Sequence, residues 1–145
     1  MMRNFKFILA FLMYLCLTGN INSQAAKEKE HFNWDRVIEA IIQVESRGNP
    51  NAFNKEGNCA GILQITKICL KEANNILKEK GYERRFSLSD RWDEEKSREI
   101  FLLIQEKYNP EHDFVKACRI WNEGPNYNRK VETTEYVKKV MKNLL

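Results

Sequence analysis

The sequence is poor in the residues that build metal centres. It contains two histidines and four cysteines among 145 residues, and the histidines, His31 and His112, lie far apart in the chain. No two cysteines have the C-x-x-C spacing. Structural and catalytic zinc sites use cysteines and histidines at short, repeated spacings. The sequence therefore gives no support for a metal site, and no cofactor is expected.

Strand signals, internal repeats and low-complexity segments are nearly absent as well. Apolar residues instead recur at spacings of three and four along most of the chain, which is typical of amphipathic helices. Glycine and asparagine are concentrated in one loop near residue 55. We therefore predict an all-α fold with at most a small irregular hairpin within residues 49–65.

The longest apolar run, Phe7–Leu17, follows a basic start at Arg3 and Lys6. It is too short to span a bilayer and has the layout of a secretory signal peptide. We predict a signal peptide at 1–25 and a single domain at 26–145. The protein is then expected to be exported, periplasmic or secreted, without stable membrane insertion after cleavage. An uncleaved membrane anchor is the alternative.

Neither sign of charge dominates the chain. The formal net charge is +4, and it falls to +2 when the two cations of the predicted signal peptide are removed. There is no basic run with interleaved aromatic residues, so nucleic acid is not an expected partner.

Three cysteines remain in the predicted domain: Cys59, Cys69 and Cys118. An oxidising compartment would allow one disulfide among them, and the sequence does not choose the pair. Cys118 has the helical spacing of a core residue relative to Phe114 and Trp121, which favours buried packing over a nucleophilic role.

The stretch Trp34–Ile65 is the most informative part of the sequence. An apolar helical run ends in a glutamate and is followed by a polar loop and a second apolar segment. Val37, Ile41 and Glu45 share one face of the predicted helix. Burial disfavours the ionised carboxylate, so we expect a raised pKa for Glu45, as a general acid requires. The alternative is a solvated helix end that pairs with Arg47.

The remaining periodicity predicts four further helices, each bounded by a capping residue, a glycine or a proline. They are Thr66–Lys80, a helix from Ser89 or Asp90 to Tyr108, a helix from near Asp113 to Gly124, and a last helix capped by Thr133 or Thr134. The first helix is expected to begin after an Asn33 cap and to stop at Gly48.

Three segments carry a resemblance to a known family. E-S-R-G-N-P-N-A-F-N, beginning at Glu45, and the following G-x-x-A-G-I-L-Q-I resemble the catalytic core of the soluble lytic transglycosylases, in the lysozyme-like group. Two later segments follow in the family's order, at Ala117–Pro125 and Glu132–Val140. The resemblance implies a lysozyme-like, mainly helical fold and an enzyme that cleaves the glycan strands of peptidoglycan.

The resemblance also implies roles for individual residues. Glu45 matches the catalytic acid, and Gln64 matches a glutamine that contacts sugar. Asn54 stands where the family has a serine that hydrogen-bonds to the glutamate, and Leu63 stands in place of a methionine. Tyr136 matches the tyrosine of the last motif, where a hydrogen bond near Glu45 or the sugar is implied.

Trp121 and Asn122 stand where the family has tyrosine and asparagine. The resemblance implies that Asn122 holds the loop and the cleft. Trp121 either stacks on sugar or packs in the core, as aromatic residues at helical spacing commonly do.

The implied reaction uses one carboxyl group twice. Glu45 protonates the oxygen of the β-1,4 bond between N-acetylmuramic acid and N-acetylglucosamine, and then removes the C6 hydroxyl proton to close a 1,6-anhydro ring. A hydrolase, as in goose-type lysozymes, would need a second carboxylate. Glu56, Asp90, Asp93 and Glu132 are the candidates, although Asp90 and Asp93 are better explained as helix-start residues.

Two further classes of function stay open. A catalytically silent glycan-binding module would keep the cleft, although the retained Glu45, Gln64 and Tyr136 argue against it. A wall-remodelling accessory of a secretion or conjugation apparatus would be active only with its partner.

Overall fold

The computed structural model describes residues 32–127 and 135–144. Within these ranges the chain is mainly helical with one two-stranded hairpin, which confirms the predicted fold class. The helices are α1 (Trp34–Glu45), α2 (Lys67–Glu79), α3 (Glu94–Tyr108), α4 (Phe114–Glu123) and α5 (Glu135–Leu144); a 3-10 helix spans Leu88–Trp92, and the strands are β1 (Phe53–Asn54) and β2 (Cys59–Ala60).

Several predictions fall outside the described ranges. They concern the signal peptide at 1–25, the carboxylate Glu132 and the caps Thr133 and Thr134. The chain divides into two units between Phe32 and Asn33, and every helix and strand named above belongs to the second. None of these helices has the length and apolar character that crossing a bilayer requires.

Side-chain caps begin three helices where the sequence predicts them. The Asn33 side chain accepts a hydrogen bond from the backbone of Arg36 at 3.2 Å, and Thr66 accepts one from Cys69 at 3.0 Å. Asp113 begins α4 in the same way. Each cap satisfies one of the backbone N–H groups that the first turn of a helix leaves without a partner.

The predicted start of α3 is wrong, because a short 3-10 helix precedes this helix. Asp93, and not Ser89 or Asp90, caps this helix by accepting a hydrogen bond from the Lys96 backbone at 2.8 Å. Asp90 closes a capping box with Ser87 at the start of the preceding 3-10 helix. Asp93 thus caps α3, and Asp90 lies in the first turn of the 3-10 helix, so both have the helix-start role that the sequence favours.

The end of α1 also differs from the prediction. The helix ends at Glu45, three residues before Gly48, because Ser46 leaves the helical conformation with a φ of −137°. The Ser46 hydroxyl donates to the carbonyl of Ile62 at 2.8 Å. This bond ties the end of α1 to the segment that follows the hairpin.

Phe101 of α3 is the largest fully buried side chain of the core and has no solvent exposure. Its ring lies 5.8 Å from that of Trp34 and 4.8 Å from that of Trp121, measured between centroids. These contacts join α3 to α1 and α4. Val137 and Val140 supply the buried face of α5, whereas Met141 is 43% exposed.

The first and last helices of the described domain pack against each other. Val137 and Val140 are fully buried, and Arg36 donates to the carbonyl of Leu144 at 2.8 Å. This packing brings the C-terminal end of α1 beside the N-terminal end of α5. Glu45 and Tyr136 lie at these two ends.

Candidate active site

Glu45 is the last residue of α1, and its carboxyl group contacts the last helix. The hydroxyl of Tyr136 donates to Glu45 Oε1 at 2.6 Å, so the hydrogen bond expected for Tyr136 is present. A phenol that donates to a carboxylate makes a short, charge-assisted hydrogen bond. Tyr136 therefore orients the Glu45 carboxyl and stabilises its ionised form.

Two opposing effects act on the ionisation of Glu45. Burial raises the pKa of this carboxyl, and the hydrogen bond from Tyr136 lowers it by a smaller amount. The raised pKa is the direction predicted from the helical stripe. Among the described residues, no cation pairs with Glu45; the nearby Arg47 is exposed and has a φ of +56°. The simple ion-pair explanation for Glu45 is therefore not supported.

The ionisation of Tyr136 is shifted in the direction that keeps it a donor. Burial and the neighbouring charge of Glu45 both raise the pKa of its phenol well above the usual range. The hydroxyl of Tyr136 is therefore harder to ionise than that of an exposed tyrosine. The carboxyl, and not the phenol, is the group that exchanges protons in this pair.

A cavity of about 280 Å³ opens beside Glu45. It lies between the hairpin, the start of α2 and the end of α4. The lining residues are Glu45, Asn54, Cys59, Gln64, Ile65, Thr66, Cys69, Trp121 and Asn122. Five of the six predicted site residues thus line one cavity, and the sixth, Tyr136, contacts its acid.

Glu45 is the single carboxylate among the described residues that line this cavity. Asp90 and Asp93 are occupied at helix starts, and Glu56 is an exposed residue of the hairpin turn. None of these three lies in the cavity lining. Glu132, the fourth candidate for a second carboxylate, is outside the described residues.

Asn54 lines the cavity, but its side-chain oxygen is hydrogen-bonded within the hairpin turn. Its Oδ1 accepts hydrogen bonds from the backbone of Glu56 at 3.0 Å and of Gly57 at 3.3 Å. This is the local side-chain turn that asparagine commonly forms. The contact with Glu45 implied for this position is absent among the described hydrogen bonds, so Asn54 shapes the hairpin rather than orienting the acid.

Gln64 has a left-handed backbone, with a φ of +49°. Its Nε2 donates to the carbonyls of Ala52 at 3.1 Å and Gly61 at 2.9 Å, which occupies both amide hydrogens. The side chain therefore braces the hairpin against the segment after it. Its Oε1 is the atom left to accept a hydrogen bond from a ligand in the cavity.

Trp121 belongs both to the core and to the cavity lining. Its Nε1 donates to the carbonyl of Leu63 at 3.2 Å, and its ring packs against Phe101. Only part of the ring faces the cavity, since the side chain is half-buried. Asn122, the next residue, is exposed at the cavity rim.

Cys59, Cys69 and Thr66 were not predicted as lining residues. Cys59 faces Asn54 across the hairpin, and the two share a face because they are paired in register. Thr66 and Cys69 enter with the first turn of α2, which begins directly after the A-G-I-L-Q-I segment. Strands of two residues give no alternation in the sequence, so only the register of the folded hairpin places Cys59 beside Asn54.

The three described cysteines are free thiols. Burial raises the pKa of Cys69 and of Cys118 to about 12, and the pKa of Cys59 is raised by burial and by the charge of Glu45. Thiolates are the reactive form, so none of the three is activated as a nucleophile. The predicted burial of Cys118 is confirmed, with no solvent exposure.

In the part of the chain that the structure describes, no three ligating side chains cluster as a metal site would require.

A family model of the transglycosylase SLT domain matches residues 21–91 of the chain. The matched range contains Glu45, the hairpin and Gln64. It ends before α4, so Trp121, Asn122 and Tyr136 lie beyond it. None of the curated proteins matches the chain.

Proposed function

Because residues 21–91 carry a transglycosylase SLT domain of the lysozyme-like superfamily, we propose that this protein is a lytic transglycosylase of peptidoglycan. The bond it cleaves is the β-1,4 bond between N-acetylmuramic acid and N-acetylglucosamine. One observation carries the proposal: a single partly buried carboxyl, held by Tyr136, borders a cavity with no other carboxylate among its described lining residues.

The first step of the proposed reaction uses the protonated form of Glu45. Burial raises the pKa of this carboxyl, so a larger fraction carries a proton near neutral pH than in an exposed glutamate. Glu45 gives that proton to the glycosidic oxygen as the bond to C1 of the muramic acid breaks. The N-acetyl group of the same sugar stabilises the positive charge that develops at C1.

The second step uses the carboxylate that the first step leaves behind. Glu45 removes the proton of the C6 hydroxyl, and O6 bonds to C1 to close the 1,6-anhydro ring. The proton lost in the first step is thereby recovered, so the residue ends as it began. The hydrogen bond from Tyr136 is strongest while Glu45 is ionised, so it stabilises the Glu45 carboxylate between the two steps.

The other predicted residues serve as the binding surface in this proposal. Gln64 offers Oε1 as an acceptor for a sugar hydroxyl or an acetamido N–H group. Asn122 lies at the rim, and the exposed part of Trp121 provides an apolar surface for a pyranose ring. Asn54 contributes by shaping the hairpin that forms one side of the cavity.

We also propose that the protein acts after export, in the periplasm or outside the cell, where its substrate is found. The apolar run Phe7–Leu17 and its basic flank support this placement. A secretion or conjugation apparatus is a candidate partner. Localisation of the full-length protein, with detection of a shortened mature form, tests the export proposal.

The decisive test of the activity is mass spectrometry of the products released from isolated peptidoglycan. We expect 1,6-anhydromuramyl products from the wild type and a loss of about 100-fold or more in Glu45→Gln. Glu56→Gln is the matched control, because Glu56 is exposed on the hairpin turn. Reducing-end products would make the protein a hydrolase. Binding without cleavage would favour the glycan-binding module, and cleavage only with a partner would favour the accessory.

A further inference from the structure

Arg91, at the end of the 3-10 helix, is a buried arginine whose side chain reaches the hairpin. It is only 5% exposed. Its Nη1 donates to the carbonyl of Asn58 at 2.8 Å, to the side-chain oxygen of Asn58 at 3.3 Å and to the carbonyl of Ile65 at 3.1 Å. Its Nε donates to the carbonyl of Leu88 at 3.2 Å. One side chain thus bonds to both ends of the segment 58–65.

This cation is buried without a carboxylate. Among the described residues, no acidic side chain forms an ion pair with Arg91, and its recorded partners are carbonyl-type oxygens. A buried charge is costly unless hydrogen bonds replace its hydration. An arginine presents several donors in a fixed plane, which suits it to bind several carbonyl oxygens at once.

Two of the carbonyls that Arg91 binds lie at, or directly after, residues with a left-handed backbone. Asn58 has a φ of +50°, and Gln64, directly before Ile65, has a φ of +49°. Such conformations are uncommon for residues other than glycine, and they persist where the surrounding structure holds them. The Arg91 side chain binds the carbonyl of Asn58 itself and the carbonyl of Ile65, the residue directly after Gln64.

The backbone of Arg91 contacts the same segment. A Cβ atom on Gly61, whose φ is +77°, would lie 1.8 Å from the Arg91 carbonyl oxygen. That carbonyl also accepts a hydrogen bond at 3.1 Å from the buried hydroxyl of Ser97 on α3. The 3-10 helix is therefore anchored to the core helix, and Arg91 extends that anchorage to the hairpin.

We call residues 58–65 the cleft wall, because Cys59, Gln64 and Ile65 of this segment line the cavity. We propose that Arg91 is a positioning residue that holds the cleft wall in its substrate-binding shape. The proposal rests on the proposed function, since it assigns the wall to glycan binding. Arg91 is not a lining residue and acts on the glycan only through Gln64 and its neighbours. The acid itself is held elsewhere, by Tyr136.

Two variants and one control test the proposal. Arg91→Met removes the guanidinium but keeps an unbranched side chain, and Arg91→Lys keeps the charge with a single donor group. Arg98→Met is the control, because Arg98 lies on the neighbouring α3 and pairs with Glu94 and Glu39 at the surface. Each full-length variant is compared with the wild type at a temperature at which circular dichroism shows it folded.

The first readout is hydrogen exchange of the wall, which needs no activity. The amides of Gly61 and Ile65 are hydrogen-bonded within the hairpin region, to Ala52 and Ala60. We expect these amides to exchange at least about tenfold faster in Arg91→Met, with an intermediate effect in Arg91→Lys. Amides of α5 should be unchanged, and Arg98→Met should show no effect at the wall. Unchanged wall exchange, or equal acceleration throughout the domain, would overturn the proposal.

The second readout is the kinetics of peptidoglycan cleavage. A displaced wall should raise KM by about tenfold while kcat falls less and the pH dependence keeps its shape, because the pair of Glu45 and Tyr136 is untouched. Loss of kcat with KM unchanged would overturn the positioning role. If the wild type cleaves no peptidoglycan, the proposed function fails by itself, and hydrogen exchange still decides whether Arg91 holds the wall.

Discussion

Tyr136 donates a hydrogen bond to Glu45 across 2.6 Å, and this contact joins the last helix of the domain to the first. The carboxyl lies at the border of the cavity, so the bond controls both its direction and its charge. Burial favours the neutral acid, whereas the phenol favours the carboxylate. In the proposed reaction Glu45 gives up a proton and then takes one back, and this balance suits both steps.

Replacing Tyr136 should move the pH dependence of cleavage upward. Tyr136→Phe removes a donor that stabilises the carboxylate, so the pKa of Glu45 rises further. Because the first step consumes the protonated acid, the loss of activity at alkaline pH should begin at a higher pH. We also expect kcat to fall by about tenfold, since the carboxyl loses its orientation. The measurement is kcat/KM against pH for peptidoglycan cleavage.

Tyr108→Phe is the matched control for this experiment. Tyr108 also donates to a glutamate at 2.6 Å, but its partner is Glu72, outside the Glu45 cavity lining. This variant should leave the alkaline limb in place. A limb that stays in place, or moves to lower pH, in Tyr136→Phe would contradict the assigned role of the bond.

Glu45 should make the folded state less stable as the pH rises. Its pKa is raised in the folded protein, so its contribution to stability is fully present below the unfolded pKa and is lost as the pH rises through the folded pKa. Glu45→Gln cannot ionise and avoids this loss. The melting temperature of the variant relative to the wild type should therefore be higher near neutral pH than at about pH 4. An equal difference at both pH values would refute the expectation.

Gly61 should tolerate no side chain. Gly61→Ala places a methyl group 1.8 Å from the Arg91 carbonyl oxygen, in addition to the strain of a positive φ, and should cost about 3 kcal/mol or more. Gly81→Ala isolates the strain, since Gly81 has a φ of +79° and nothing within 4 Å, and should cost about 1 kcal/mol. Urea unfolding measures both. Equal losses would show that the contact with Arg91 is not limiting.

Of the three described thiols, Cys59 should react first with a maleimide in the native protein. Cys59 and Cys69 are both partly exposed at the cavity, but burial raises the pKa of Cys69 and of Cys118 to about 12, so thiolate is scarce in these two near neutral pH. Peptide mapping after partial labelling identifies the site. A bulky label at Cys59 should also block cleavage, because Cys59 lines the cavity beside Glu45. Cys59→Ser should protect the activity; inactivation of that variant at the same rate would point to another site.

Local signals in the sequence are sufficient for most of the helices. Thr66 and Asp113 cap helices where the sequence predicts, because capping depends on residues three positions apart. The same local rule misplaces the start of α3. Asp90 lies inside a 3-10 helix and bonds back to Ser87, and only the packed chain shows that α3 begins after Asp93.

Local sequence patterns predict less of the site than of the helices. The helical stripe predicts the raised pKa of Glu45, but its bond to Tyr136 is suggested by the family motif and by no nearby pattern. Nothing in the sequence near Arg91 predicts that it is buried, since an arginine that follows an aspartate is typical of a protein surface. Its burial is decided by the hairpin, whose carbonyls lie 26 and 33 positions away.

The packing of α1 against α5 also affects the order in which the site is assembled during synthesis. Glu45 and Tyr136 are separated by 91 positions, so the ribosome completes the first long before the second. Closing a loop of that length carries a large entropic cost, and contacts so distant in sequence form slowly. In a growing chain, the acid acquires its phenol partner only when the last helix has been made and has docked.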